Sequence, residues 1–437
     1  MSTIRAKDRD AVIQSLRAGV VPRAGLHLVQ VGRAREIESL LSDIMRVAEG
    51  SSTFRVVIGE YGSGKTFFLN LVRTMGMEKK LVTANADLSP DRRLYATNGH
   101  ARSLYAELMK NIATRARPDG GGLAGVVEKF VSTAMAEAKT NGGTPDARIH
   151  AKLEHLTEMV NGYDFANVIA AYWQGFEAGN EKLKSDAIRW LRGEFTTKTD
   201  ARNALGVRTI VDDSSFYDQL KLMARFVRLA GYSGLLVCLD ELVNLYKLQN
   251  AQARNSNYEQ ILRILNDALQ GHAEGLGVLL GGTPEFLLDT RRGLYSYSAL
   301  QSRLSENSFA RDGLVDFSGP VLRLSSLSQE ELLVLLQKLR HVFAHGEPDR
   351  YLLPDSALPA FMEHCHKSIG AAYFRTPRNT ITAFINLMAV IEQNPGIDWR
   401  DLLGQVAIEP DVDSGQGVVG EDSGMESGGD ELASFRL

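Results

Sequence analysis

Gly59-Glu60-Tyr61-Gly62-Ser63-Gly64-Lys65-Thr66 fits the spacing G-x-x-x-x-G-K-[ST]. Residues 54–58 form a short apolar run that reads as a strand, and residues 67–72 read as the first turns of a helix. Glycines let the backbone curl so that successive N–H groups converge on one concavity. The helix N-terminus adds partial positive charge to it. Gly59, Glu60, Tyr61, Gly62, Ser63, Gly64, Lys65, Thr66 and Phe67 would therefore cradle phosphates. Lys65 would reach the β- and γ-phosphates, and the Thr66 hydroxyl would ligate Mg²⁺.

Such a loop needs a carboxylate opposite it. In Gly234-Leu235-Leu236-Val237-Cys238-Leu239-Asp240-Glu241, five apolar residues run between a glycine and two acids. This suits a strand buried on both faces of a parallel sheet, with Asp240 at the carboxyl end, where ligands bind. Asp240 would hold Mg²⁺ through water, and Glu241 would polarise the attacking water. Residues 277–285 suggest a further strand ending at Thr283, whose hydroxyl could cap the turn before Pro284. Beyond it lie Arg291-Arg292 and Ser302-Arg303-Leu304. A guanidinium lent by a neighbouring subunit can stabilise charge on a transferring phosphoryl group. Any one of these arginines could equally be an ordinary surface residue. Arg375-Thr376-Pro377-Arg378 opens an apolar helix over residues 380–391, and Val31-Gly32-Arg33 with Glu36 precedes the loop.

Other chemistry finds little support. His341 and His345 are four apart on a predicted helix, but no carboxylate or cysteine completes a metal set. No Ser–His–Asp assembly can be argued, and no Asn-Lys-x-Asp guanine motif is present.

The 437 residues are enough for two or three domains. Hydrophobic content of 44% and charged content of 23% are ordinary for a globular protein. No apolar run approaches the ~20 residues of a membrane span, and residues 1–9 lack an apolar signal core. A cytoplasmic protein without membrane contact is expected. Cys238 and Cys365 cannot make a disulfide framework. The net charge of −4 is uneven: residues 409–437 hold eight acids and one arginine. The remaining 48 basic and 45 acidic residues leave +3, a near-neutral core.

The expected fold is α/β, a three-layer P-loop sandwich on a parallel sheet. Residues 1–100 hold the loop, with helices over 8–18 and 33–48 and a strand over 81–87. A helix over 103–115 opens a mainly helical insertion, residues 101–230. Its segments are 122–138, 148–160, 164–178 and 182–192, and residues 216–230 lead into the acidic strand. Phe165, Val168, Ile169, Tyr172, Trp173 and Phe176 fall at helical spacing, more often a core stripe than a docking face. Residues 231–318 complete the sheet domain. Residues 319–408 form a C-terminal helical lid, opened by a capping box at Ser328 and Glu331. The Gly-, Ser- and acid-rich tail, 409–437, is expected to be disordered.

These motifs resemble those of AAA+ ATPases, and in particular the P-loop ATP-binding proteins of bacterial phage-exclusion (BREX) defence systems, a branch related to origin-recognition ATPases. The likeness reaches to about residue 405. It rests on Leu16-Arg17-Ala18-Gly19-Val20-Val21-Pro22, Val31-Gly32-Arg33, the 59–66 loop and Trp190-Leu191-Arg192-Gly193-Glu194. It also rests on Ala230-Gly231-Tyr232-Ser233-Gly234-Leu235-Leu236 before the two acids, and on Gly282-Thr283-Pro284-Glu285. By resemblance, Val31 and Gly32 would flank the adenine, Thr283 would orient water at the γ-phosphate, and Arg303 would be the finger in trans. Arg378 would be the lid arginine that touches the γ-phosphate. The resemblance also implies ATP with Mg²⁺, hydrolysis, a homo-oligomer, and a partner helicase, nuclease or methyltransferase. Double-stranded DNA is a further expected partner. The alternative is a nucleotide-gated scaffold that does not bind DNA itself.

Overall fold

The computed structural model describes residues 4–310 and 314–404. Five strands make one sheet: β1 (Thr53–Ile58), β2 (Leu81–Asp87), β3 (Gly234–Asp240), β4 (Leu276–Gly282) and β5 (Val321–Arg323). Their spatial order is β2-β3-β4-β1-β5 and every pairing is parallel. β4 thus separates β1, which feeds the glycine-rich loop, from the acidic strand β3.

Alternation along the strands decides what each face carries. Leu235, Val237 and Leu239 point into the larger core, and Leu236 and Cys238 into the smaller one. Helices Ala34–Ala48 and Lys65–Glu78 cover the second face with Leu40, Ile44, Val47, Phe68, Leu69 and Val72. Helices His100–Lys110, Phe216–Leu229 and Ala251–Gln270 cover the first with Leu104, Leu108, Phe226 and Ile261. The result is the expected three-layer α/β sandwich. By the same alternation, Asp240 lies on the face of the loop helix.

The helical insertion comprises Leu123–Asn141, Pro145–Thr157, Gly162–Glu177, Glu181–Leu191 and Lys198–Leu205. Its aromatic stripe is core. Phe165 packs edge-on to Trp190 and Phe226, with ring centroids 6.3 and 5.7 Å away, and Phe130 lies 5.2 Å from Phe226. Only the end of the stripe, Phe176, is exposed. The Lys198–Leu205 helix escaped the sequence reading because it buries one residue, Ala201, and so has no apolar period. Its Thr197 cap accepts from the Asp200 N–H at 3.1 Å.

The expected 103–115 helix ends at Lys110. Ala113 instead exchanges backbone hydrogen bonds of 3.0 and 2.7 Å with Thr83 on the outer strand β2. An edge strand offers unpaired backbone groups, and this bridge satisfies two of them.

A second core joins the two ends of the chain. Helices Ala6–Arg17 and Leu26–Val29 pack with Gln329–Phe343, Ala357–Ile369 and Arg378–Gln393. Val12, Ile13, Val29, Leu336, Leu339, Phe361, Phe384 and Met388 are buried there, and the Ile4 N–H donates to the His345 carbonyl at 2.9 Å. The sequence reading grouped residues 1–100 with the loop and 319–408 with the helical domain. In the structure residues 4–29 pack with the C-terminal helices, and β5 belongs to the sheet. Amphipathic spacing shows which face of a helix is apolar, not which partner buries it. The chain therefore crosses twice between the sheet and the helical domain, near residues 30–33 and 324–328. The acidic tail from 409 lies outside the described residues. No helix among the described residues is long and apolar enough to cross a membrane.

Candidate nucleotide-binding site

The glycine-rich loop leaves β1 and enters helix Lys65–Glu78. Gly62 and Gly64 have φ of 73° and 81°, the left-handed region that costs glycine nothing. Lys65 Nζ donates to the carbonyls of Gly59 and Glu60 at 2.7 and 2.9 Å. Burial pushes the Lys65 pKa down, and Asp240, Glu241, Glu60 and Glu285 pull it back up. The Ser63 hydroxyl is buried and makes no hydrogen bond among the described residues. The loop thus holds an aimed ammonium and an unsatisfied buried hydroxyl.

The Thr66 hydroxyl donates to Asp240 Oδ2 at 2.7 Å across 174 residues of sequence. Oδ1 of the same carboxylate accepts the Glu241 N–H at 2.9 Å. That bond accompanies a left-handed backbone at Glu241, φ 58°, uncommon for a non-glycine residue. The Glu241 carboxyl is held above the usual range by burial first, then by Asp240 and Asp87. Gly281 on β4 leaves room for Asp240, since a Cβ there would collide with its carboxylate.

Asp87 escaped the sequence reading. Register pairs it with Asp240 on the neighbouring strand, and alternation places it on the same face. Burial, then Asp240, raises its pKa. The available signal was an acid ending the strand expected over 81–87.

Across from the loop stands the helical domain, and the cleft between them measures about 220 Å³. Leu16, Val20, Val21, Val31, Leu335 and Ile381 supply its apolar wall. Tyr61 to Phe67 and Glu241 line the other side. Gly32, φ 60°, lies beside this wall, where a Cβ would strike the Glu331 carboxylate. Arg33 also lines the cleft. Its guanidinium donates to the Ser63 carbonyl in the loop and to the Ser325 carbonyl at 3.3 Å. Arg378 reaches the Tyr61 hydroxyl at 3.4 Å, and Thr376 packs on Gly62. The 375–378 turn therefore touches the glycine-rich loop directly.

The remaining arginine and threonine candidates separate clearly. Thr283 caps helix Pro284–Leu288, its hydroxyl 3.5 Å from the Phe286 N–H, and does not line the cleft. Arg292 is structural, donating to the carbonyls of Tyr246 and Leu248 at 3.2 Å. Arg303 is exposed on helix Ser298–Leu304, away from its own cleft. His341 bonds Tyr351, and among the described residues no cluster of three or more His, Cys, Asp and Glu side chains is placed to hold a metal ion.

The donor set suits a triphosphate with a divalent cation. Thr66 and Asp240 offer hard oxygens already in contact, which Mg²⁺ prefers. No curated protein matches the chain. The family described as BREX system ATP-binding protein BrxC/D matches residues 4–407, and with nearly its whole length matched the chain belongs to this family of ATP-binding proteins of phage-exclusion systems.

Proposed function

We propose that the chain hydrolyses ATP in the cleft between the sheet and the helical domain, and that it works as an oligomer acting on DNA or regulating a partner enzyme of the defence system. The observation that carries hydrolysis is the 2.7 Å bond from Thr66 to Asp240 with Glu241 next to it. Thr66 and Asp240 would hold Mg²⁺, which supplies charge neutralisation on the phosphates when bound. Lys65 is aimed along the loop and would exchange its carbonyl partners for phosphate oxygens. Glu241 would orient and polarise the attacking water. Its raised pKa matches a group that accepts a proton during reaction. Val31 and its apolar neighbours would hold the base.

Arg378 bears on the loop from the helical domain and would follow the γ-phosphate. Arg303, exposed and outside the lining of its own cleft, would serve the cleft of a neighbouring copy. Thr283 keeps both readings, cap and water orienter.

The test measures ATPase rate and oligomeric mass for wild type and Glu241→Gln, with and without double-stranded DNA. ATP-driven assembly with DNA-raised turnover supports the full reading. Assembly that DNA leaves unchanged points to a nucleotide-gated scaffold. No turnover by wild type under any condition rejects hydrolysis.

A further inference from the structure

The end of the sheet opposite the nucleotide cleft carries a basic surface. Lys79 and Lys80 link helix Lys65–Glu78 to β2, and both are exposed. The Thr83–Ala113 bridge lays the following residues antiparallel to the start of β2. A turn then closes with backbone hydrogen bonds of 3.1 and 2.9 Å between Thr114 and Arg117. It leaves Arg115 and Arg117 exposed.

Lys129 completes the group from helix Leu123–Asn141. Its ammonium sits 3.8 Å from the Tyr232 ring centroid and donates to the Gly231 carbonyl at 3.3 Å. Ser233, next in the chain, donates its N–H to the Lys80 carbonyl at 3.0 Å. Lys80, through its backbone carbonyl, and Lys129 thus both bond to one short segment, 231–233.

Three exposed acids, Glu78, Asp119 and Glu128, border the five cations. Glu78 stands 3.5 Å from Arg115. Glu128 turns to the Tyr172 hydroxyl at 3.4 Å. Among the described residues, Lys79, Lys80, Arg117 and Lys129 make no ion pair within 4.0 Å, so they stand uncompensated. Like charges held together cost free energy unless an external anion offsets them. A lipid surface would be met with apolar side chains as well as cations, and none of the large exposed apolar residues lies in this patch. Cations in excess of acids, spread over the link before β2, a turn and a helix, suit a chain of regularly spaced phosphates.

We propose that Lys79, Lys80, Arg115, Arg117 and Lys129 form a contact surface for the phosphate backbone of duplex DNA, on the side of the sheet away from ATP. This deepens the DNA-acting reading above and rests on it. The surface would position DNA without reading its sequence.

The test uses the full chain without nucleotide and a fluorescent 20-base-pair duplex of arbitrary sequence, titrated at several salt concentrations. Wild type should bind, with affinity falling steeply as salt rises. Lys80→Ala/Arg117→Ala/Lys129→Ala should bind at least about tenfold more weakly, and the slope of log affinity against log salt should shrink by roughly 2 to 3. Both proteins should bind a non-hydrolysable ATP analogue equally, which shows that the variant folds and separates this result from the ATPase test. Equal DNA binding by the two proteins would overturn the proposal, as would absence of wild-type binding at low salt. It would also fall if polyglutamate displaced the duplex at equal charge, because the surface would then suit an acidic protein.

Discussion

At the residue scale, two side chains of the proposed phosphate site would have separable duties. Lys65 is a cation held by two backbone carbonyls and awaiting better partners. Lys65→Ala should abolish measurable ATP binding in a calorimetric titration, because the loop loses the charge that offsets the phosphates. Glu241 is linked to the loop helix through Asp240, which accepts its N–H and the Thr66 hydroxyl. Glu241→Gln should keep ATP affinity within a fewfold of wild type and cut turnover by about 10² or more, the usual size of a lost general base. Equal loss of binding in both variants would show that Glu241 holds the nucleotide rather than the water. Much of this site was legible in sequence because its chemistry is local: eight consecutive residues make the loop, and an apolar run ending in two acids makes the opposing strand. Asp87 and Arg33 were not legible as site residues. Asp87 matters only because register sets β2 beside β3, and Arg33 because the chain brings Ser63 and Ser325 to it. Neither pairing leaves a mark on nearby sequence.

At the element scale, the helix that faces the cleft from the lid is fixed by its first turn. Ser328 accepts from the Glu331 N–H at 3.1 Å, and the Glu331 carboxylate accepts the Ser328 N–H at 2.9 Å. Ser328→Ala should cost about 1 kcal/mol in chemical denaturation. Gly281→Ala should be worse for function than for folding. Its new methyl must displace the Asp240 carboxylate, so Mg²⁺-dependent ATP affinity should fall while far-ultraviolet dichroism stays native. Native Mg²⁺-dependent affinity in this variant would mean that Asp240 is not the Mg²⁺ partner of Thr66. Elements with a strong apolar period were readable in advance, and those made by non-local pairing were not. Strand β5 has three residues and exists because β1 has a free edge for it. The turn after Lys110 likewise answers an open edge on β2.

At the scale of the whole molecule, the cleft is built by the sheet and the helical domain, and the proposal that a neighbouring copy completes it turns on Arg303. Arg303, on helix Ser298–Leu304, is exposed and does not line its own cleft. Arg303→Ala should lower the ATPase rate at high protein concentration, where wild-type turnover per chain rises with concentration, and leave nucleotide binding by dilute protein unchanged. Concentration-independent turnover in wild type would remove the need for any finger in trans. Domain grouping was the least legible property at this scale. The first helix, Ala6–Arg17, and the helix Arg378–Gln393 bury their stripes against each other over a separation of more than 360 positions, which no local pattern announces.

The double crossing between the two bodies sets how they can move. A lid on one tether can swing and twist in any direction. This lid is joined at residues 30–33 and again at 324–328, and the two joints are pinned together by Arg33 on Ser325 and by Gly32 against Glu331. Two fixed points define a line, and rotation about that line is the motion such a double joint hinders least. Occupancy of the cleft would then be translated into a single angle, the simplest signal an enclosing ring or a docked partner could read.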